Sequence, residues 1–237
     1  MESITRTEWR EEDLQSSSMG SSTFNGSTIS TAITHDPSLL YYALKRLIDI
    51  ILAAVGVVVL LPVFLVIAIC IKLDDGGDIL YFREMIGFRG RNFTILKFRT
   101  MIPNADAYLE QHPELKLEYE KNMKLDDDPR VTRLGRFLRR TYLDELPQLF
   151  NVLTGHMSLV GPRSLPAREL TLYGEYAQKR LTVKPGVTGS WQVSENRYSS
   201  YAKRILLDMQ YIDDRSFFLD LIILLKTLKV LIVQAGV

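Results

Sequence analysis

The chain has 237 residues and a formal net charge of +1, which suits one domain with an anchor and lacks the strong basic excess of nucleic-acid-binding domains. Its single cysteine, Cys70, excludes an intramolecular disulfide, and three scattered histidines do not make a zinc site. We therefore expect no nucleic-acid partner, and a catalytic part that faces a reducing compartment.

Residues 1–37 are rich in serine, threonine and glycine and contain few large apolar side chains. Such a segment cannot bury enough apolar surface to offset the entropy that ordering would remove. It also lacks the central apolar stretch of a signal peptide. The composition predicts a flexible tail.

Residues 38–75 are expected to form a membrane segment. The uncharged run at 50–71 would extend roughly 33 Å as a helix, enough to cross a bilayer. Lys45 and Arg46 precede the run and further cations follow it, so the positive-inside rule favours both ends on the cytoplasmic side. Pro62 interrupts its centre. A helix–break–helix hairpin that re-enters the same leaflet satisfies both observations, and a bent full crossing stays open.

Residues 76–237 are expected to form a cytoplasmic catalytic domain. Two β-like stretches at 79–82 and 92–98, joined by the glycine-containing loop at 87–91, predict a hairpin. Residues 104–124 read as a polar helix broken near His112.

Residues 130–153 also have a helical pattern, whereas the apolar segment at 217–234 contains Asp220, Lys226 and Lys229. These charges favour an amphipathic helix at the membrane surface, or one packed on the first hairpin, over a second crossing. The fold class expected is therefore α/β, mostly helical with a small β-hairpin, and membrane-associated.

Asp144 and Glu145 are the main candidates for catalysis. Two adjacent carboxylates can divide the work, one as nucleophile and the other as metal ligand. Alternatively, they are a solvated pair at a helix start, where the dipole favours acids. A stripe of arginines at three-residue spacing precedes them and predicts a phosphate-binding helix face or a headgroup-facing one. The stripe comprises Arg130, Arg133, Arg136 and Arg139.

Further candidates for phosphate binding follow from turns and strands. A Gly-Pro turn could project Arg163 inward, and the PGVTG stretch at 185–189 could form an anion nest at Thr188 or simply a loop. Strand alternation puts Lys97 and Arg99 on the same face. Walker A, GxGxxG and GxSxG motifs are missing from the sequence.

Together, these motifs resemble one family, the bacterial sugar transferases, which are monotopic polyprenyl-phosphate phosphoglycosyl transferases. The resemblance covers residues 40 to the C-terminus. In order, the matching features are the basic apolar hairpin, KFRTM at 97–101, LDELPQL at 143–149, NV through MSLVGPR at 151–163, and PGVTG at 185–189.

The resemblance implies a two-step transfer of a hexose 1-phosphate, of glucose or galactose, from a UDP-hexose to undecaprenyl phosphate. Asp144 would attack the β-phosphate and release UMP, and Glu145 would bind Mg²⁺. Lys97, Arg139 and Arg163 would handle phosphate. The family works at the cytoplasmic face of the bacterial inner membrane, in contact with membrane lipids. The resemblance leaves a homo-oligomer open.

The sequence departs from the family pattern at three places. Many members have serine at Tyr142 and proline at Ser164, and many have a Ser-Gly-Arg stretch where this chain has residues 194–197. With only a tail before the hairpin, the chain resembles the minimal catalytic form. Two rival functions stay open, a Mg-dependent phosphohydrolase with water as acceptor, and an inactive membrane scaffold for polysaccharide assembly.

Overall fold

The computed structural model of the chain describes residues 21–24, 27–30, 37–122, 125, 127–194 and 200–235. Near the N-terminus, β1 (Ser21–Phe24) and β2 (Ser27–Ser30) pair as an antiparallel hairpin. Most of the expected flexible tail lies outside the described residues. The hairpin was not predicted, although threonine, phenylalanine and isoleucine within it are residues that favour strands.

The longer elements begin with α1 (Leu39–Asp75), and they confirm a mostly helical chain with a small antiparallel hairpin. The others are, in chain order, β3 (Leu80–Ile86), β4 (Asn92–Phe98), α2 (Ala105–Glu110), α3 (Pro113–Asn122), α4 (Arg133–Arg140), α5 (Gln148–Leu153), β5 (Ser158–Val160), α6 (Ala167–Leu170), α7 (Ala177–Arg180), β6 (Gly186–Thr188), α8 (Tyr201–Asp214) and α9 (Phe217–Ala235); 3-10 turns lie at Phe88–Gly90, Leu143–Glu145 and Thr171–Tyr176.

Helix α1 has defined ends. The Ser38 hydroxyl accepts a hydrogen bond from the Tyr41 backbone N–H, and Gly76 ends the helix in the left-handed conformation. One stripe of side chains, three or four residues apart, faces the rest of the chain. The stripe comprises Tyr41, Lys45, Asp49, Ala53, Gly56, Leu60, Val63, Ile67 and Ile71.

The remaining faces of α1 are apolar and exposed. Val58 and Val66, for example, leave 72% and 60% of their surface uncovered. Soluble domains rarely expose a continuous apolar patch of this size. Within the part of the chain that the structure describes, α1 is the one helix long and apolar enough to cross a membrane. The expected membrane segment is therefore present as a membrane-associated helix.

The expected break at Pro62 is not seen, because α1 is helical on both sides of this proline and through it. Residues after the proline are held by the domain: the Phe64 ring lies 5.5 Å from that of Phe98 and 6.0 Å from that of Phe150. Packing of this kind offsets the hydrogen bond that proline removes, as in other membrane helices. The re-entrant path itself stays a prediction.

The basic residues expected to flank the membrane segment tie α1 to the rest of the chain. Lys45 forms an ion pair with Asp220 at 2.7 Å. The Arg46 guanidinium donates to the carbonyl oxygens of Val152 and Leu153 at 2.6 and 2.9 Å. These carbonyls end α5, where a cation complements the helix dipole.

The predicted hairpin is confirmed. Strands β3 and β4 pair antiparallel over their full length, from Leu80 opposite Phe98 to Ile86 opposite Asn92. The break near His112 is also confirmed, since α2 ends at Glu110 and α3 begins at Pro113. A parallel pairing of β5 with β6 was not predicted, because the two strands are distant in sequence.

One member of the arginine stripe is not on the expected helix. Arg130 precedes α4, is buried, and forms a two-point ion pair with Asp128 at 2.8 and 2.7 Å. Its guanidinium also lies over the Tyr119 ring. The helix begins only after Thr132, whose hydroxyl caps it, so three-residue spacing alone overestimated its length.

Two hydrophobic clusters hold the elements together. The larger joins Ala53 of α1 to the hairpin, to β5 and to α8. The smaller packs Ile67 and Ile71 of α1 against Phe98 and Leu138, with Leu143 and Leu146 at its edge. The second cluster therefore places the 3-10 turn Leu143–Glu145 against the C-terminal half of α1.

The C-terminal helix is joined to α1 through Asp220, which is buried in the first turn of α9. Its carboxylate accepts from the hydroxyls of Tyr41 at 3.0 Å and Tyr211 at 2.8 Å, besides the Lys45 ion pair. A buried carboxylate with three donors is well satisfied, and removing it leaves the Lys45 ammonium and the Tyr41 hydroxyl without this acceptor, whereas the Tyr211 hydroxyl keeps the Val160 carbonyl oxygen at 3.2 Å.

We expect Asp220→Ala to lower the free energy of unfolding by about 1–3 kcal/mol, because it removes the acceptor of the half-buried Lys45 ammonium and Tyr41 hydroxyl. Thermal unfolding of the detergent-solubilised protein would measure this as a fall in Tm. Asp214→Ala, at an exposed position of α8, is the matched control. Equal changes in Tm for the two variants would contradict this role of Asp220.

Candidate active site

The first turn of α4 is held close to the segment that follows strand β4. A Cβ atom at Gly135 would lie 2.0 Å from the carbonyl oxygen of Thr100, so only glycine allows this approach. One turn later, Arg139 Nε donates to the Thr100 hydroxyl at 2.9 Å. The contact orients the Arg139 guanidinium beside the carboxylates that follow.

Between α4 and the 3-10 turn, Tyr142 has a φ of +57°, a left-handed conformation that costs a residue of this kind roughly 1–3 kcal/mol. The reversal directs Leu143 and Leu146 into the smaller hydrophobic cluster. Asp144 and Glu145 are thereby buried, with exposed fractions of 8% and 9%. The solvated-pair interpretation of these two acids is therefore wrong.

Glu145 is bound by two cations from separate segments. Lys97 Nζ of β4 and Arg163 Nη2, after β5, each lie 2.7 Å from Glu145 Oε1. Burial alone would raise the pKa of Glu145, but the charges of Arg163 and Lys97 outweigh it and lower this pKa to about 2. Glu145 is therefore a permanent anion that fixes both cations.

Asp144 differs from its neighbour. Among the described residues it accepts no hydrogen bond, although Lys97, Arg163 and Arg139 are close enough to act on its charge. Burial, followed by the charge of Glu145, raises the pKa of Asp144 to about 6, against the opposing effect of those cations. At neutral pH, this carboxylate is ionised, buried and unpaired, which suits an attacking oxygen.

The donor set also fits a magnesium ion. Described residues contain no group of three or more acidic, cysteine or histidine side chains, but Mg²⁺ commonly binds one or two carboxylates and completes its shell with water and substrate phosphates. Glu145 Oε2 has only a long contact, 3.4 Å from Arg163 Nη1. Of the two Glu145 oxygens, this one is the more available to a cation.

Thr188 lies at the other side of the same site. It is buried and lines a cavity together with Glu145 and Arg163. Its hydroxyl is 2.8 Å from that of Thr227 in α9. The structure therefore brings together five of the predicted residues, Asp144, Glu145, Lys97, Arg163 and Thr188, with Arg139 beside them.

Arg99 is not brought to the carboxylates. Its guanidinium forms a two-point ion pair with Asp75 and donates to the carbonyl oxygens of Asp78 and Met101. Strand alternation placed it on the face of Lys97, but the strand ends at Phe98 and the chain turns away. Arg99 instead ties the end of α1 to the hairpin.

Sequence reasoning missed three contributors to the site. Thr100 orients Arg139, and Thr227 and Val230 of α9 line the cavity. The KFRTM motif contained Thr100 without revealing its partner. Nothing local distinguishes Thr227 or Val230 from other positions of an apolar helix.

Comparison with known proteins supports the family. A sequence profile described as bacterial sugar transferase matches residues 40–234. The exopolysaccharide production protein ExoY of Rhizobium meliloti is 42% identical over 196 residues, which cover 81% of this chain and 87% of that protein.

Two longer relatives are also similar. An undecaprenyl-phosphate galactose phosphotransferase of Salmonella typhimurium is 41% identical over 198 residues, covering 81% of this chain and 41% of that one. A UDP-N-acetylgalactosamine-undecaprenyl-phosphate N-acetylgalactosaminephosphotransferase of Aeromonas hydrophila is 34% identical, covering 84% of this chain and 46% of that one. The match to the profile over most of the chain, with a buried carboxylate pair where the motif predicts it, establishes that the protein belongs to the bacterial sugar transferase family.

Proposed function

We propose that the protein transfers a hexose 1-phosphate from a UDP-hexose to undecaprenyl phosphate and releases UMP, as the first membrane step of exopolysaccharide synthesis. Relatives named for transfer to undecaprenyl phosphate and for exopolysaccharide production support the reaction class. The observation that carries the proposal is the buried, unpaired carboxylate of Asp144 beside the doubly paired carboxylate of Glu145.

In the first step, an Asp144 carboxylate oxygen attacks the β-phosphorus of the UDP-hexose. The bond from this phosphorus to the bridging oxygen breaks, UMP leaves, and the hexose phosphate stays bound to Asp144. In the second step, a phosphate oxygen of the lipid attacks the same phosphorus and regenerates the carboxylate. A carboxylate nucleophile needs no base at neutral pH, so the scattered histidines are no obstacle.

The cations offset the electrostatic repulsion between an anionic nucleophile and an anionic substrate. Arg163 and Lys97 are fixed by Glu145 before substrate arrives, so little reorganisation is needed when negative charge develops. Arg139 presents the remaining nitrogens of a guanidinium oriented by Thr100. A planar arginine fork suits phosphate oxygens.

Magnesium is part of the proposal. Glu145 would hold the ion through the oxygen that its ion pairs leave available. When bound, the ion neutralises charge on the diphosphate of the donor. The rest of its shell would come from water and substrate oxygens.

The sugar is proposed to be glucose or galactose. The relatives support a phosphosugar and differ in which one, since one is named for galactose and another for N-acetylgalactosamine. The departure from the family pattern at residues 194–197 falls largely on 195–199, outside the described residues.

We place the enzyme at the bacterial inner membrane with its catalytic domain on the cytoplasmic side and α1 re-entrant. Both ends of α1 contact the same domain, through Lys45 and Asp220 at one end and through Ile71 and Phe98 at the other. A straight crossing would carry one end away from that domain. Contacts at both ends therefore support keeping both ends of α1 on the side of the membrane that carries the domain.

UMP release tests the reaction. Purified protein in detergent, given undecaprenyl phosphate, Mg²⁺ and UDP-glucose, UDP-galactose or UDP-N-acetylgalactosamine, should release UMP with a sugar that it uses. We expect Asp144→Asn to lower this rate at least about 10³-fold, because an amide is not a nucleophile for phosphorus.

Asp214→Asn, which alters an exposed carboxylate of α8, is the matched control. Sustained turnover that needs no lipid would favour the phosphohydrolase. A folded protein that releases no UMP with any of the sugars would favour the scaffold. Appreciable turnover by Asp144→Asn would move the nucleophile elsewhere.

The pH dependence of kcat/KM should follow the ionisation of Asp144. Protonation removes the attacking lone pair, so we expect activity to fall as the pH drops through about 6. Glu145→Gln removes the neighbouring charge that raises this pKa, so the acid limb should move to lower pH even where the rate is reduced. If the acid side of the pH profile stays in place or moves to higher pH, the proposed effect of Glu145 on the pKa of Asp144 is contradicted.

Labelling from one side tests the path of α1. In a Cys70→Ser background, single cysteines at Ser38 and Gly77 flank the helix. For a re-entrant helix, a membrane-impermeant maleimide should label both in inverted vesicles and neither in sealed cells. Labelling of the two positions from opposite sides would establish a full crossing.

A further inference from the structure

A cavity of about 170 Å³ lies beside the carboxylates. Its charged lining residues are Glu145 and Arg163, which form an ion pair, so the cavity is charged at this pair. Elsewhere the exposed lining is mostly apolar carbon, although a few hydroxyl and amide groups contribute. Its apolar members are Leu143, Leu146, Leu149, Val187, Val193, Val230 and Leu231.

This lining does not suit the sugar nucleotide. Uracil, ribose and a hexose each carry several hydrogen-bond donors and acceptors. Burying such a group without a hydrogen-bond partner is unfavourable, because its hydrogen bonds to water are lost and not replaced. An isoprenoid chain has no such groups. A lining that is charged at one ion pair and otherwise mostly apolar therefore matches a phosphate attached to a hydrocarbon chain.

Helix α9 forms the wall between this cavity and the exposed apolar surface. Ile223 is in the main core, and Thr227 and Val230, four and seven residues later, lie on the same helix face and line the cavity. Leu231 lines it as well and is 38% exposed, so this side chain also reaches the protein surface. Other apolar side chains of α9, such as Leu228, are exposed on that surface.

The wall is fixed to strand β6 by two hydroxyl groups. Thr227 donates to the Ile223 carbonyl oxygen at 2.7 Å, so the Thr188 hydroxyl is the donor in its 2.8 Å contact with Thr227. The position of α9 is thereby set relative to the β6 segment.

We propose that the first isoprene units of the acceptor occupy this cavity along Val230 and Leu231, and that the chain passes out beside α9 into the bilayer. The assignment rests on the transfer reaction proposed above and adds the location of the lipid. It brings the acceptor phosphate to Arg163. From there a phosphate oxygen can attack the phosphorus held on Asp144, the bond to Asp144 breaks, and the carboxylate is restored.

The alternative environment of the chain is the bilayer, which is equally apolar. Lipid binding in the cavity therefore gains little free energy from the hydrophobic effect, and the cavity acts mainly by its shape, which places the phosphate at the correct depth. Because the lipid chain and not the sugar nucleotide occupies the cavity, blocking it should affect use of the lipid more than use of the sugar nucleotide.

The test is Val230→Trp, with Leu228→Trp as a matched control on the lipid-facing side of the same helix. We expect Val230→Trp to raise KM for undecaprenyl phosphate roughly tenfold or more, since an overfilled site excludes the chain. The burst of UMP released without lipid reports whether the catalytic site is intact. An unchanged KM with a normal burst would overturn the assignment.

Photocrosslinking provides a second measurement on the unmodified protein. Farnesyl phosphate with a diazirine near its phosphate end should label a peptide containing Thr227, Val230 and Leu231, and excess undecaprenyl phosphate should compete. Competed labelling confined to other segments would overturn the assignment. Absence of any UMP release by the wild-type protein would instead refute the proposed reaction, and the lipid assignment with it.

Discussion

The rest of the structure depends on how α1 is packed. It is an apolar helix of 37 residues that buries a single stripe and leaves its other faces without a protein partner. The stripe contacts the domain at both ends of the helix, so the domain lies along α1 and not beyond one end of it. The 3-10 turn with the carboxylates rests on the same helix through Leu143 and Leu146. The depth of the proposed catalytic site relative to the exposed apolar surface of α1 is therefore set by packing.

Adjacent residues acquire opposite properties at this turn. Glu145 is buried with two cations and stays charged at any physiological pH, whereas Asp144 is buried without a hydrogen-bond donor and has a raised pKa. Burying two acids together would normally be costly, and the ion pairs with Lys97 and Arg163 compensate for only one of them. The other carboxylate keeps the basicity that an attacking oxygen needs. The strained backbone of Tyr142 belongs to the same arrangement, because it turns both acids inward.

Local features were well predicted. The hairpin at β3 and β4 and the helix break before Pro113 follow from turn residues and periodicity. Features that depend on distant contacts were not. Pro62 did not split α1, since aromatic packing by Phe64 holds the residues after it. Arg99 was assigned to phosphate by its spacing, but it forms an ion pair with Asp75, 24 residues earlier in the chain. Spacing along a chain cannot reveal which acid a cation will meet.

The sequence by itself determined the family, the membrane-associated helix and the identity of the paired acids, because each is encoded by contiguous residues with a distinct composition. Only the tertiary structure decided which acid is paired and which is left free, since Lys97 and Arg163 arrive from segments 48 residues before and 18 residues after Glu145. It also decided that α9 forms a wall of the cavity, through the contact between Thr188 and Thr227. Charge pairing and cavity shape depend on side chains that folding brings together from distant segments, so a local sequence pattern does not predict them.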